Sequence, residues 1–212
     1  NRGCDDDSGT DYLSSISGFE SPQDETLFIQ VFGYGGGAGA FDLCVADLGT
    51  IRLDSSELPI VSLFTQGQDI PYDGKVDALM EIRYNGAGNI TYITDPPNVY
   101  AGNIGIGIHG ATSAGYPQRP FAVETRDSLG ANLDVSILGM PEENDWVLLS
   151  NYNDRSLVRN ELAYELARRM GQYAPRTHLC EVLLDSSYRG IYVFGEKIKR
   201  DGGRVDIAKL TG

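Results

Sequence analysis

Between Asn103 and Asp127, the stretch NIGIGIHGATSAGYPQRPFAVETRD gathers residue types that can hold a phosphate. Ile104, Ile106 and Ile108 alternate with Gly105, Gly107 and His109. One face of this strand therefore packs, and the other is bare backbone ending in an imidazole. Glycines along one face let a ligand or a second backbone come close. Gly110 to Gly115 follows as a loop of small residues, with hydroxyls at Thr112 and Ser113, and Arg119 opens the next strand, RPFAVETR. Backbone N–H groups of such a loop supply donors and a nearby cation neutralises charge, which is the chemistry of a phosphate cradle. A tight Gly-rich hairpin with no ligand carries the same pattern, so both readings stand.

The elements around this unit are strands and one helix. WVLL (Trp146 to Leu149) is an apolar strand, and the polar turn SNYND leads from it into the helix. Asp154 is placed as N-cap, because its carboxylate can accept an orphan N–H of the first turn. Leu157, Val158, Leu162, Leu166 and Met170 recur at helical spacing as one apolar stripe, expected to be buried. Arg168 and Arg169 suit the dipole of the last turn, and Gly171 closes it. HLCEVLLD and GIYVFGEKI are strands with SSYR as the hairpin between them. Earlier in the chain, PIVSLFT and LMEIRY are strands. The expected architecture is α+β, an antiparallel sheet with one main helix laid across it.

The formal net charge is −13, and residues 1–58 hold eleven acidic and two basic side chains. That balance argues against nucleic acid or an anionic membrane as the main partner. No run approaches the ~20 apolar residues that span a bilayer. No signal peptide is visible, and the chain opens at Asn1 inside a turn, so it reads as an excised fragment. Residues 1–47 read as the last hairpin of an incomplete β-sandwich, with strands LFIQVFGY and FDLCV, and residues 48–58 as a linker. Asp5, Asp6 and Asp7 form either a solvated acidic turn or a Ca²⁺ site. Cys4 and Cys44 either pair, as in an exported protein, or stay as two unpaired residues. Cys180 alternates with Val182 and Leu184 and is expected to be a buried free thiol.

Four stretches carry a family resemblance: LPIVSLFT, IHGATSAGYPQRPFAVETRD, LDVSILGMPEENDWVLLSNYNDRSLVRNELAYELARRMGQYAPRTHLCEVLL and YRGIYVFGEKIKRDGGRVDIAKL. Together they resemble the bacterial spore-coat protein H (CotH) kinase-like family, whose members are secreted proteins with an atypical protein-kinase fold. DDDSG…TLFIQVFGYGGGAGAFDL resembles the end of a pre-peptidase-type accessory domain of exported bacterial proteins. The first resemblance implies a kinase-like N-lobe over residues 59–212, with Gly110 to Gly115 over the phosphates of ATP and Arg119 as the basic residue that contacts them. It further implies that the helix, at Asp154 to Met170, supplies an acid to orient that base, and that the adenine-binding hinge lies near Glu196. Glu161 and Glu165 are the candidate acids, with pairing to Arg168 or Arg169 as the competing role; Glu124 is the remaining candidate. Arg159 and Asn160 match the family's Arg-Asn pair, in a structural or a catalytic role. The chain departs from the family at Pro117-Gln118-Arg119, where a Pro-Lys-Lys stretch is usual, and at His109, where arginine is common. Arginine's planar fork is not a lysine's point charge. The cofactor implied is ATP with Mg²⁺ or Mn²⁺, and the partner a protein substrate at the cell surface or exterior. Catalytic base and metal ligands are expected downstream of the RVDI segment, so no residue here is assigned to either role, and the fragment is expected to be inactive. Two functions follow: phosphoryl transfer from ATP to protein hydroxyls, or a pseudokinase-like surface module that has kept the fold and lost the chemistry.

Overall fold

In a computed structural model of the chain, the structure describes residues 52–154 and 156–210. The chain divides into two compact units, Asn1–Ala46 and Asp47–Gly212. The N-terminal hairpin, the Cys4–Cys44 pairing and the Asp5–Asp7 site lie outside the described residues.

The described residues of the second unit hold nine strands and one α-helix: β1 (Ser55–Ser56), β2 (Ile60–Phe64), β3 (Val76–Arg83), β4 (Thr91–Tyr92), β5 (Tyr100–Ile108), β6 (Phe121–Arg126), β7 (Asp145–Ser150), α1 (Arg159–Arg169), β8 (Thr177–Leu184) and β9 (Ser187–Glu196). β1 and β4 form a small separate pair, and the other seven strands close into a barrel in the order β2-β3-β5-β6-β7-β9-β8. Every barrel contact is antiparallel except the closing one, where β2 runs parallel to β8 with Val61 opposite Val182.

Period-2 alternation sends one set of side chains inward, where they fill the barrel. Val61 and Leu63, Met80 and Ile82, Ile104 and Ile106, Val123, Trp146 and Leu148, Cys180 and Val182, and Phe194 are all fully enclosed. Trp146 stacks on Phe194 with ring centroids 5.5 Å apart, and Phe121 on Tyr192 at 6.1 Å. Each such apolar side chain contributes about 1.5–3 kcal/mol on burial. The free thiol of Cys180 lies among them, and burial raises its pKa far above the ordinary thiol value.

This closed barrel overturns the α+β expectation of a kinase-like N-lobe, an open antiparallel sheet with one main helix. Strand far outweighs helix among the described residues, and α1 contributes no buried residue. The physical reason is visible in the topology. β2 and β3 add two strands beside β5, and the parallel β2–β8 contact joins two edges that an open sheet would leave with unpaired N–H and C=O groups.

The helix also differs from expectation in both start and orientation. It begins at Arg159 with Val158 as N-cap residue. Asp154 still serves its first turn from outside, accepting the Arg159 N–H at 2.9 Å and the Ser156 N–H at 3.0 Å. Leu157 takes a positive φ of 60° at the entry, and Asn151 secures it by donating its side-chain amide to the Leu157 carbonyl at 2.6 Å. The predicted stripe points away from the barrel: Leu162 is 58% and Met170 76% exposed. The half-buried side of α1 carries Glu161, Tyr164, Ala167 and Arg168 instead. Polar ties fix that side, with Asn160 donating to Asn151 at 3.2 Å and Arg168 donating to the Pro175 carbonyl.

The hairpin between β8 and β9 turns on Asp185 and Ser186 alone, both at positive φ, so Ser187 to Arg189 belong to β9. Two residues with positive φ are the turn that suits the twist of an antiparallel pair. The Asp185 carboxylate compensates for that backbone by accepting Thr65 N–H at 2.8 Å and Thr65 Oγ1–H at 2.6 Å.

Candidate functional site

The bare face of β5 is occupied by the protein itself. A β-carbon at Gly105 would collide with the Arg126 guanidinium, and one at Gly107 with the Gly74 carbonyl. Antiparallel register sets Asp77, Gly105, Glu124 and Asp145 side by side on the outer wall. Cations settle among them. Arg126 pairs with Asp77 at 2.6 Å and Glu124 at 3.2 Å; Lys75 also pairs with Glu124. Lys197 reaches Asp145 at 3.3 Å, and Lys199 bridges Glu143 at 2.6 Å and Asp145 at 3.0 Å. Burial pushes the Glu124 and Asp145 pKa values up, but these cations more than offset it and hold both below the ordinary carboxylate range. Burial likewise opposes the charge of Lys199, yet Glu143 and Asp145 raise its pKa. This wall is electrostatically satisfied.

The loop after β5 is different. Gly110 takes φ 83°, and the Ser113 hydroxyl folds over it where a β-carbon would stand. Ser113–Gly115 forms one 3-10 turn, and the backbone N–H groups of Gly110, Ala111, Thr112 and Ser113 have no acceptor among the described residues. Thr112 is exposed. Tyr116 stacks on Tyr152 with centroids 5.5 Å apart, and Asn153 donates to the Tyr116 hydroxyl at 2.6 Å, which fixes the loop to the turn after β7. The His109 backbone N–H donates to the Pro120 carbonyl at 2.9 Å. Burial, with Lys197 in second place, lowers the His109 pKa, so the imidazole adds no charge at neutral pH.

Arg119 lies just before β6 rather than on it, since the ladder with β5 begins at Phe121. Its carbonyl accepts the Tyr192 hydroxyl at 3.0 Å, while its exposed side chain makes no ion pair among the described residues. Neighbouring Gln118 is spent on structure: its amide donates to the carbonyls of Ile191 at 2.9 Å and Arg189 at 3.3 Å.

The remaining candidates take other roles. Glu161 has one carboxylate oxygen fully enclosed and without a partner, and no ion pair joins it to Arg119. Glu165 pairs with Arg168 at 2.9 Å and Arg169 at 2.7 Å along the helix. Glu196 is buried, and its carboxylate is held by Arg176 at 2.6 Å and by Arg204 at 2.9 Å. Arg204 is itself fully enclosed and lies 5.2 Å over the Trp146 ring. The side chain of Glu196 is therefore a buried anchor. Asn160 braces Asn151, Arg159 is exposed beside Asp154, and burial lowers the pKa of the half-buried His178. Sequence reasoning missed the wall lysines and the role of Gln118, because their partners lie far away in the chain, and Arg204, whose partner Glu196 is near in sequence but whose ring contact, Trp146, is not.

No group of three or more His, Cys, Asp or Glu side chains placed to hold a metal ion is found among the described residues. No helix among them is long and apolar enough to cross a membrane.

At one end of a barrel with a satisfied wall stand a loop of unpartnered amides and an arginine with no ion pair among the described residues. The family of the chain is given by sequence. The model of the CotH kinase protein family matches residues 106–211, half of the chain, and the chain belongs to that family. The match runs from the end of β5 to the C-terminal segment, while β2 and β3, which close the barrel, precede it. No curated protein matches the chain.

Proposed function

We propose that this chain is the nucleotide-binding part of a secreted kinase that transfers the γ-phosphate of ATP to serine or threonine hydroxyls of proteins at the cell surface. Membership of the CotH kinase protein family supplies the reaction class. One observation carries the assignment to this end of the barrel: Arg119 is exposed and unpaired among the described residues, beside a loop whose amides are also free. The wall cations, by contrast, already face carboxylates. A cation without a carboxylate neighbour keeps its full charge for an incoming phosphate, whereas one that already faces a carboxylate presents a smaller net charge.

In this reading the amides of Gly110 to Ser113 and the Thr112 hydroxyl donate to phosphate oxygens, and Arg119 neutralises them. ATP supplies the transferable phosphoryl group when bound. The metal that accompanies the nucleotide takes its protein ligands from outside the described residues.

Calorimetric titration of the 212-residue chain with ATP and Mg²⁺ or Mn²⁺ tests this. Binding should weaken about ten- to a hundredfold in Arg119→Ala, as for loss of a charge-assisted contact, and persist in Arg119→Lys. Absence of heat with either metal would favour the non-catalytic surface module.

A further inference from the structure

The uncommitted charge at the loop end of the barrel is double. Arg189 lies near the start of β9, and it is the one cation on a barrel strand without a carboxylate partner among the described residues; Arg83 pairs with Glu81 at 2.5 Å and Arg126 with Asp77. It is exposed, like Arg119. Gln118 ties the two backbones together. Its side chain donates to the Arg189 carbonyl, one residue from Arg119. Gly190 is what permits this approach: it takes φ 96°, and a β-carbon there would press on the Gln118 amide. Tyr192 completes the junction by donating to the Arg119 carbonyl at 3.0 Å. Burial raises the pKa of that hydroxyl, and the positive charge of Arg189 partly opposes the rise.

From this junction we infer that Arg119 and Arg189 act together as a two-guanidinium clamp for the polyphosphate chain of a nucleotide. The inference rests on the nucleotide reading above and adds a residue that lies far from the loop in sequence. Two exposed arginines without carboxylate partners among the described residues, on backbones joined through Gln118, offer positive charge that a multiply charged anion can take up. Planar guanidinium groups also match phosphate oxygens two at a time, which a single lysine does not. The clamp gives a physical reason for the arrangement at Gln118. Its amide is spent on holding β9 against the loop, so that an arginine from each side reaches the ligand.

Titration of the chain with inorganic tripolyphosphate and, separately, with ATP decides the question. Tripolyphosphate should bind without any adenine, and Arg119→Ala and Arg189→Ala should each weaken it about ten- to a hundredfold. Arg189→Lys should lose less than Arg189→Ala, and Lys197→Ala should change affinity less than twofold. Both arginine side chains are exposed, so an unchanged melting temperature confirms that the variants fold. If Arg119→Ala weakens ATP while Arg189→Ala leaves both ligands untouched, the clamp is refuted and the nucleotide reading survives. ATP binding with no affinity for tripolyphosphate also overturns the clamp alone. If neither ligand binds, both fail.

Discussion

The barrel wall and helix α1 carry equally regular apolar patterns and use them in opposite ways. In the wall, alternate residues such as Ile104, Ile106, Val123 and Leu148 point inward and are enclosed. Along α1 and its two cap residues, Val158, Leu162, Leu166 and Met170 share one face as their spacing requires, and that face is exposed. Periodicity establishes that residues lie together; it does not establish which side of the element the core occupies. A closed barrel removes that freedom, because only one side of each strand can face an interior. A helix outside the barrel has no such constraint, and here hydrogen bonds from Asn160 and Arg168 select the polar side to face the protein.

The contrast can be broken first at the buried ion cluster. Arg204→Ala would leave Glu196 enclosed with only the half-exposed Arg176 as partner, and should cost about 3–5 kcal/mol in denaturant unfolding. A loss below 1 kcal/mol would show that Glu196 is not buried. Next in size, Leu148→Ala should cost about 2–5 kcal/mol, as for emptying any enclosed leucine site. The outer wall should respond to acid. Glu124 and Asp145 have folded pKa values below their ordinary ones, so their contribution is complete above about pH 5 and is lost as pH falls through the folded values. Urea midpoints that fall below pH 4, with a smaller fall in Lys75→Ala, would match; a midpoint flat down to pH 2 would not. The smallest effect belongs to the helix. Leu162→Ala should change stability by no more than about 0.5 kcal/mol, although its spacing alone predicts a buried leucine.

Much of the local structure was legible. IVSLF, NIGIGI, WVLL and HLCEVLL fall on β2, β5, β7 and β8, and Cys180 is the buried thiol its alternation implies. Barrel closure was not, because the parallel contact of Val61 with Val182 leaves no mark in either segment alone. The glycines of β5 did mark close approach, but by Arg126 and by the Gly74 carbonyl, which no local pattern identifies. Arg119 is charged and exposed, yet it stands outside the strand expected to carry it. Residue types alone nominate the Gly110–Gly115 loop and Arg119 as candidates. Arg189 was hidden, since only the fold brings the start of β9 to Gln118.

The central claim is that the barrel holds the stability of this unit and α1 is an outer attachment. Native-state hydrogen exchange, read residue by residue, tests it most directly. Amides of β5, β7 and β9 should open only with global unfolding, while those of α1 should exchange through local openings of distinctly lower free energy. Protection of the α1 amides equal to that of Val147 and Val193 would contradict the account, because it would require the helix to belong to the same cooperative core.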